Sequence, residues 1–494
     1  MAQELAAQAG AVQDVVITAQ HVIVFSMHVH SVSSHDRASL RGVVRFFLVV
    51  CSYVLSAFIS PPSRFAISIA TVPKSPLVLL KRAASHVNGL DKQMLSHRLC
   101  DNVPDAPPWL NSEWASFLLD LTDDAVKHAS KQGLRGLLRE YRTSRAVRNL
   151  CRGGMAPPSS LSDLAAAIDD IDQSLSTPPS LMQVNVGTFG MKKQKAQQVT
   201  AFVQAVVSGF STDSIQRVVD VGSGRGALTR HLQHHLGCPS IGLEMDANNL
   251  AAAQRIAEIG GQTNISFLAC DLRNATALGA LLRHGDLVTG LHPCGSLGDN
   301  IIAAVAEVAP SKAQSLLVVS CCLQGRPWAP VGDPRAPSSA LGLQLGLLLP
   351  LQALQMTNMG RIQGPASQTI KTRLALRRLL SARGVKGPLL LDGVRRCEQR
   401  NGFCEDLATK VLRLRGLPPP SQAEMVMADT AAAAAMPALT RLGLLCRLLG
   451  DLVELTVNLD RACALAEAGL HTTVGRLFLR SASPRNLAIY ASHE

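Results

Sequence analysis

The chain has 494 residues, of which 47% are hydrophobic and 17% are charged. A chain of this length and apolar content can bury more than one core, which excludes a wholly disordered protein. The net charge is +12, and two stretches carry the excess: residues 127–152 have a net charge of +7 and residues 371–415 one of +8. The rest of the chain is slightly acidic, which excludes a uniformly basic packaging protein. The two stretches predict basic faces that contact polyanions, RNA among them, with solvated surfaces as the alternative.

Residues 1–80 form an N-terminal extension to which the sequence assigns no role. Within it, residues 46–59 carry no charge, but a bilayer span needs about 20 such residues. We therefore expect no membrane anchor. The 12 cysteines show no regular spacing, which predicts reduced thiols and hence a cytoplasmic or nuclear protein.

Residues 81–180 are predicted to form a helical region and a linker. Apolar side chains recur every three to five positions from Trp109 to Leu121, as one face of a helix requires. One side of the next helix carries basic residues at four-residue spacing: Lys127, Lys131, Arg135 and Arg139.

Residues 181–330 alternate short β-branched runs with longer amphipathic stretches, which predicts a parallel sheet with helices on both faces. The predicted strands are 217–221, 240–243, 265–269, 287–291 and 316–319. The predicted helices are 197–209, 227–236, 247–259 and 301–308. In such a fold a nucleotide-type ligand binds beyond the carboxyl ends of the strands.

The last third of the chain is predicted to return to this sheet. Residues 331–445 are rich in Leu and Ala and are predicted to be a mostly helical insertion. Residues 446–494 are predicted to contain a helix at 451–467 and strands at 472–478 and 487–492. Because a tight turn joins these two strands, we expect them to be antiparallel and to complete the sheet.

A glycine-rich loop follows the first core strand, where glycines let the backbone approach a ligand at a strand-to-helix turn. Gly222, Gly224 and Gly226 have the spacing G-x-G-x-G. The dinucleotide fingerprint is G-x-G-x-x-G instead, which disfavours a nicotinamide-dependent oxidoreductase. Asp220 lies two residues before the first glycine. This combination is typical of S-adenosylmethionine methyltransferases, whose loop passes the methionine part of a cofactor that has no phosphate.

Two further acids follow the next two strands. Glu244 can accept both ribose hydroxyls of a nucleoside, and Asp271, with Leu272 beside it, can accept the adenine amino group. Acids at three successive strand ends fit one ligand, whereas each alone is compatible with a surface acid beside a turn. The sequence therefore predicts S-adenosylmethionine as the cofactor. The predicted binding residues are Asp220, Gly222, Ser223, Gly224, Gly226, Glu244, Asp271 and Leu272.

The ends of the fourth and fifth strands carry the predicted methyl-transfer residues, His292, Cys294 and Cys321. Methyl transfer from a sulfonium is a displacement that needs positioning and, for some acceptors, a base. His292 is the candidate base because imidazole titrates near neutral pH. The alternative is a histidine that hydrogen-bonds and shapes the loop.

A zinc site is also compatible with the ligand types at these strand ends, which are His292, Cys294, Cys321 and Cys322. Adjacent cysteines rarely bind one tetrahedral ion together. We therefore predict no metal from the sequence.

Five motifs recur in the order of a known family. They are residues 218–226, Leu291-His292-Pro293-Cys294-Gly295, Cys321-Cys322, Leu459-Asp460-Arg461 with Glu467, and Ser483-Pro484-Arg485-Asn486. In these motifs the chain resembles the methyltransferase-like protein 25 family, which includes the ribosomal RNA adenine dimethylase domain-containing proteins. The resemblance covers about residues 100 to 494. It implies an α/β fold of class I, a Rossmann-like seven-stranded sheet, with a helical N-terminal region and a mostly helical insertion before the last two strands.

The chain departs from the family on the presumed acceptor side. It keeps only Lys195 of the usual Lys-Lys-x-His-Glu, and it has Ser296 and Leu323 where the family tends to have Asp and Tyr. The leading hypothesis is an S-adenosylmethionine-dependent methyltransferase acting on an unidentified acceptor, RNA or protein. The alternative is an inactive module that binds the cofactor and interacts with RNA or protein.

Overall fold

The structure is a computed structural model of the chain. It describes residues 74–90, 94–95, 112–150, 156–176, 191–272, 275–309, 311, 314–324, 334–357, 365–385 and 401–493. Most of the predicted N-terminal extension, including the apolar run at 46–59, lies outside these residues. Among the helices that the structure describes, none combines the length and the apolar character needed to cross a bilayer.

A seven-stranded sheet lies at the centre of the fold. Its strands are β1 Arg217–Val221, β2 Ser240–Glu244, β3 Ile265–Ala269, β4 Asp286–Leu291, β5 Gln314–Val319, β6 His471–Arg476 and β7 Leu487–Ser492. The spatial order is β3-β2-β1-β4-β5-β7-β6. Strands β1 to β5 are parallel, and β7 is antiparallel to both β5 and β6. The predicted class I α/β fold is confirmed, with the last two strands completing the sheet.

The helices, in chain order, are α1 Pro76–Asn88, α2 Glu113–Leu119, α3 Asp123–Thr143, α4 Arg145–Leu150, α5 Ser159–Gln173, α6 Lys193–Gly209, α7 Ala227–Leu236, α8 Ala247–Ile259, α9 Ala275–Leu281, α10 Ser296–Val308, α11 Ala340–Gln344, α12 Leu351–Met356, α13 Pro365–Ala382, α14 Glu405–Arg413 and α15 Gln422–Glu467. Local capping sets several of their starts. Asp246 accepts hydrogen bonds from the first backbone N–H groups of α8, and Ser421 forms a capping box with Glu424 at the start of α15.

Alternating residues of the central strands pack on opposite faces of the sheet, as the period of a strand requires. Val218 and Leu287 contribute to the core beneath α6 and α7. Val219 and Val288 belong to the larger core on the other face, which also includes α15. Because both faces are covered, the middle residues of these strands, Val218, Val219, Leu287 and Val288, are apolar on both sides of the sheet.

Helix α15 has 46 residues, and its C-terminal half is buried almost all round. A helix that is apolar on all sides belongs in a core. The predicted segment boundary between residues 445 and 446 falls inside α15, so one helix joins the insertion to the sheet. The predicted boundary at residue 80 falls inside α1. Those at residues 180 and 330 lie outside the described residues.

The terminal motif closes the β6–β7 connection. Asn486 Nδ2 donates to the carbonyl oxygen of Phe478 at 2.7 Å, and Asn486 Oδ1 accepts from Arg476 at 2.7 Å. Arg485 forms a 3.0 Å ion pair with Glu454 of α15. The Ser-Pro-Arg-Asn motif at residues 483–486 therefore holds the hairpin against the sheet and α15.

Two of the four residues of the predicted basic face along α3, Arg135 and Arg139, pair with acids of neighbouring helices. Arg135 pairs with Asp169 at 3.0 Å and with Asp451 at 3.1 Å, and its side chain is only 12% exposed. In the second basic stretch, Arg377 is buried. The prediction of an exposed polyanion-binding face is wrong for these two arginines, because the fold pairs Arg135 with acids and buries Arg377.

Candidate functional site

The carboxyl ends of the parallel strands bring the glycine loop to one edge of the sheet. Gly222, Gly224 and Gly226 have φ values of 72°, 56° and 69°, in the left-handed region that glycine adopts without strain. The backbone N–H groups of Gly222 and Ser223 donate to the carbonyl oxygen of Leu243, at 2.9 and 3.0 Å. These bonds fix the loop against the end of β2.

Phe267 of β3 makes two glycines necessary. A Cβ atom on Gly226 would lie 2.5 Å from the Phe267 ring, and one on Gly242 would lie 2.6 Å from it. Real Cβ atoms do not approach other heavy atoms this closely. The ring therefore packs directly against the glycine loop and couples it to β2 and β3.

Asp220 is buried at the end of β1, with 2% of its surface exposed. The hydroxyl of Thr229 donates to its Oδ2 at 2.6 Å, and that of Thr289 donates to its Oδ1 at 3.4 Å. Burial raises the pKa of Asp220 to about 6, although these hydrogen bonds and the charge of Lys195 oppose the rise. A cationic ligand beside this carboxyl would favour its charged form.

Glu244 lies at the end of β2 next to the loop. Its Oε2 accepts from the backbone N–H of Gly224 at 2.9 Å, and its Oε1 accepts from those of Met245 and Asp246, both at 2.9 Å. The carboxylate is therefore held in place at the strand end, where the sequence predicts that it binds ribose hydroxyls.

The third predicted strand-end acid, Asp271, is exposed beyond β3. Leu272 beside it is buried, and its carbonyl oxygen accepts from Asn300 of α10 at 2.8 Å. The three acids lie at one edge because β1, β2 and β3 are parallel neighbours. Ser223 adds a buried Oγ atom without a hydrogen-bond partner among the described residues, which fits a polar group of a bound cofactor.

His292 follows β4 with a φ of 72°. Its Nε2 lies 3.1 Å from Oε1 of Gln198 on α6, and its ring meets the ring of Phe478 edge-on with centroids 6.1 Å apart. Because an amide oxygen only accepts, Nε2 carries the proton in this contact. Nδ1 is buried. These contacts fit a histidine that shapes the loop, and the role of His292 as a base stays a prediction.

The two other predicted transfer residues belong to a cluster of three thiols. The Sγ atoms of Cys294, Cys321 and Cys322 all lie within 4.8 Å of one another. The Sγ atoms of Cys321 and Cys322 lie 3.7 Å apart. Hydrogen bonds with the two neighbouring thiols, followed by burial, raise the pKa of Cys321 well above its usual range. Cys321 is therefore uncharged at neutral pH unless a cation binds.

Lys195 on α6 is a site residue that the sequence did not reveal as such. It is half-buried, and burial lowers the pKa of its ammonium group while the charges of Asp220 and Cys321 oppose this. Gln198, three residues further along the same face of α6, contacts His292, so this face of the helix meets the loop after β4. No local pattern near the start of this helix predicts that Lys195 is half-buried. The sequence singled it out only as the one residue shared with the Lys-Lys-x-His-Glu motif of the family that the chain resembles.

Residues 191–325 match a family model described as a methyltransferase domain, which is less than half of the chain. No curated protein matches the chain significantly. Solved structures with similar segments include magnesium protoporphyrin IX methyltransferase from Synechocystis PCC 6803 with bound SAM, at 21% identity over 25% of this chain and 58% of that chain with a TM-score of 0.20. Another is a SAM-dependent methyltransferase from Aquifex aeolicus, at 16% identity over 23% of this chain and 61% of that chain, with a TM-score of 0.19. The chain spans less than two thirds of each.

This segment is a class I methyltransferase domain. The domain match, the sheet order and the loop with its strand-end acids identify S-adenosylmethionine as its cofactor. The individual binding and transfer residues remain predictions.

Helix α15 holds the loops that follow β4 and β5 in place. The fully buried Arg461 donates to Asp299 at 2.9 Å, to Ser320 Oγ at 2.9 Å and to the carbonyl oxygen of Gly295 at 3.2 Å. Burial alone would raise the pKa of Asp299, but the guanidinium groups of Arg335 and Arg461 hold it well below its usual range. The Leu-Asp-Arg motif therefore positions the loops that carry the thiols.

Proposed function

We propose that this chain is an active S-adenosylmethionine-dependent methyltransferase of the methyltransferase-like protein 25 family, with RNA or protein as its acceptor. The observation that carries the proposal is the strand order: β1, which carries Asp220, is followed across the sheet by β4 and β5, whose ends carry His292 and the thiols. Cofactor and acceptor residues therefore adjoin, as direct transfer between two bound groups requires.

The residues of the chain divide the work of transfer between them. The bound cofactor supplies a methyl group on a positively charged sulfur. Asp220 and Glu244 hold and orient the cofactor. The positive charge of the cofactor beside Asp220 lowers the raised pKa of that carboxyl. Lys195 is the proposed proton acceptor, since it lies half-buried on the face of α6 from which Gln198 contacts His292, and burial lowers the pKa of its ammonium group.

Binding of the cofactor product tests the cofactor half of the proposal. We expect Glu244→Gln to weaken binding of S-adenosylhomocysteine at least tenfold, since an amide accepts fewer hydrogen bonds from ribose hydroxyls. Glu258→Gln, an exposed acid on α8, is the matched control and should bind like the wild type. Isothermal titration measures both. Equal affinities of Glu244→Gln and wild type would refute the assignment of Glu244.

Transfer of a radioactive methyl group tests activity. We expect wild-type protein and tritiated cofactor to label a specific component in lysate of cells that lack this protein, and Lys195→Met to abolish labelling while retaining S-adenosylhomocysteine affinity. Ribonuclease and protease digestion then assign the label to RNA or to protein. Label resistant to both excludes the proposed acceptor classes.

The inactive cofactor-binding module is the second candidate. It is favoured by Leu323, which is buried beside the thiol cluster, and by Ser296 at the start of α10, since both replace residues usual in the family. This alternative predicts normal cofactor binding with no labelled component, so the two measurements together separate it from the active enzyme.

A further inference from the structure

We propose that Cys294, Cys321 and Cys322 form a binding site for a Zn²⁺ ion beside the cofactor site. The three thiols come from two separate loops, after β4 and after β5, yet their Sγ atoms all lie within 4.8 Å of one another. None of the three takes part in a disulfide.

The distances between the sulfur atoms match those of a zinc site. Zinc binds cysteine sulfur at about 2.3 Å in tetrahedral geometry, which puts two such ligands about 3.8 Å apart. Cys321 and Cys322 already lie at 3.7 Å. Small side-chain rotations bring Cys294 to the same separation.

The adjacency of Cys321 and Cys322 does not prevent shared binding. Neighbouring residues of a strand point to opposite faces, but both cysteines lie beyond the end of β5. Because they lie beyond the pleated strand, the two side chains can point to the same side, and their Sγ atoms lie close together. The backbone N–H of Gly295 also donates to the carbonyl oxygen of Cys322 at 2.6 Å, and Arg461 fixes Gly295 in turn. The two loops are thus held together before any ion binds.

The donor set suits a divalent cation, because three thiolates leave the zinc complex with a single net negative charge. The sequence had suggested His292 as a further ligand, but the ring nitrogens of His292 do not belong to the cluster, and its Nε2 contacts Gln198.

Three protein ligands leave the fourth position of zinc open, which is the pattern of catalytic rather than structural zinc sites. Cys294 is exposed and gives the ion a route of entry. The acceptor atom would bind at the open position; this last step rests on the proposed function, whereas the zinc site itself does not.

Titration of the reduced, metal-free full-length protein with Co²⁺ tests the site, because Co²⁺ replaces Zn²⁺ and is coloured. We expect one ion per chain, with a thiolate-to-metal charge-transfer band and the visible bands of tetrahedral Co²⁺, both displaced by Zn²⁺. Cys294→Ser, Cys321→Ser and Cys322→Ser should each weaken binding by more than the 10- to 100-fold that is typical when a partner of a metal ligand is lost.

Cys404→Ser is the matched control, since Cys404 is exposed and lies outside the cluster; it should bind Co²⁺ like the wild type. S-adenosylhomocysteine titration of every variant shows that the domain is folded and keeps a failed zinc site distinct from a failed cofactor site. The proposal is overturned if the reduced wild type shows no charge-transfer band, or if variants that still bind S-adenosylhomocysteine also bind Co²⁺ unchanged. A disulfide between Cys294 and Cys321 forming in air, with no such band after reduction, would assign the cluster to thiol oxidation instead.

Discussion

Asp220 has a higher pKa in the folded chain than in the unfolded one, which is the reverse of most paired carboxylates. Burial raises it from 3.8 to about 6. The folded state therefore holds this proton more tightly, and the stability that follows from it is complete below the unfolded value. That stability is lost as the pH rises from about 4 to about 6.

Replacing Asp220 should remove this pH dependence. We expect Asp220→Asn to gain stability relative to the wild type as the pH rises through this window, by up to about 3 kcal/mol, because a shift of one pKa unit corresponds to about 1.4 kcal/mol. Thermal unfolding of both proteins at several pH values between about 4.5 and 7.5 measures the difference. A difference that stays constant with pH would contradict the burial of an ionising group at this position.

Gly226 should tolerate substitution less well than another glycine of the same conformation. Gly226 and Gly237 have φ values of 69° and 68°, but a Cβ atom at Gly237 meets nothing within 4 Å. Both alanine variants should lose about 1–2 kcal/mol to the left-handed backbone. Gly226→Ala should lose about 1–3 kcal/mol more, through the clash with Phe267. Urea denaturation compares the two, and equal losses would show that Phe267 moves aside freely.

At the scale of elements, α3 and α5 form a pair of opposite charge. Arg135 and Arg139 lie one turn apart on α3 and both contact Asp169 of α5. Their side chains are 12% and 60% exposed. Arg135 also reaches Asp451 of α15, so it joins three helices.

The two arginines should therefore differ in what they contribute to stability. Arg135→Met should cost about 1–3 kcal/mol, because it removes a largely buried guanidinium that pairs with Asp169 and Asp451, although both carboxylates keep a second arginine. Arg139→Met should cost at most about 1 kcal/mol, since water screens an exposed pair. Chemical denaturation followed by circular dichroism measures both. Comparable small effects would show that the charge on this helix is only a solvated surface.

Across the whole molecule, the methyltransferase sheet depends on strands from the far end of the chain. Ile489 of β7 pairs in register with Val318 of β5 and Val474 of β6. It is fully buried in the larger core, which also contains residues of α1 and α2. One core thus joins the helical region, the sheet and the C-terminal hairpin.

A single change in the hairpin should therefore destabilise the molecule as a unit. We expect Ile489→Ala to cost about 2–5 kcal/mol and to lower the midpoints of circular dichroism and tryptophan fluorescence together. Leu479→Ala removes a side chain that is 78% exposed and should change stability by no more than about 0.5 kcal/mol. Separate midpoints for the two probes would show that the hairpin and the helical region unfold independently.

The net charge of +12 has a different meaning in the folded chain. Part of the first basic stretch is neutralised by α5, and Arg377 of the second is buried. The net charge of a segment sums all its residues, whether they are buried or exposed. A polyanion contacts only the basic residues that share an exposed face.

The sequence by itself determined the alternation of strands and helices, the glycine loop and the strand-end acids of the methyltransferase domain. It could do so because strand and helix periodicity are local, and because a class I sheet brings the ends of parallel strands to one edge. The strand boundaries at 217–221, 265–269 and 487–492 were predicted as the structure has them.

Only the tertiary structure decided which side chains meet across the sequence. It brought Gln198 of α6 to His292, paired Arg135 with acids of two other helices and brought three thiols into one cluster. These contacts join residues far apart in the chain, and no local pattern specifies them. Their partners are fixed only when the strands have been ordered and α15 has packed against the sheet.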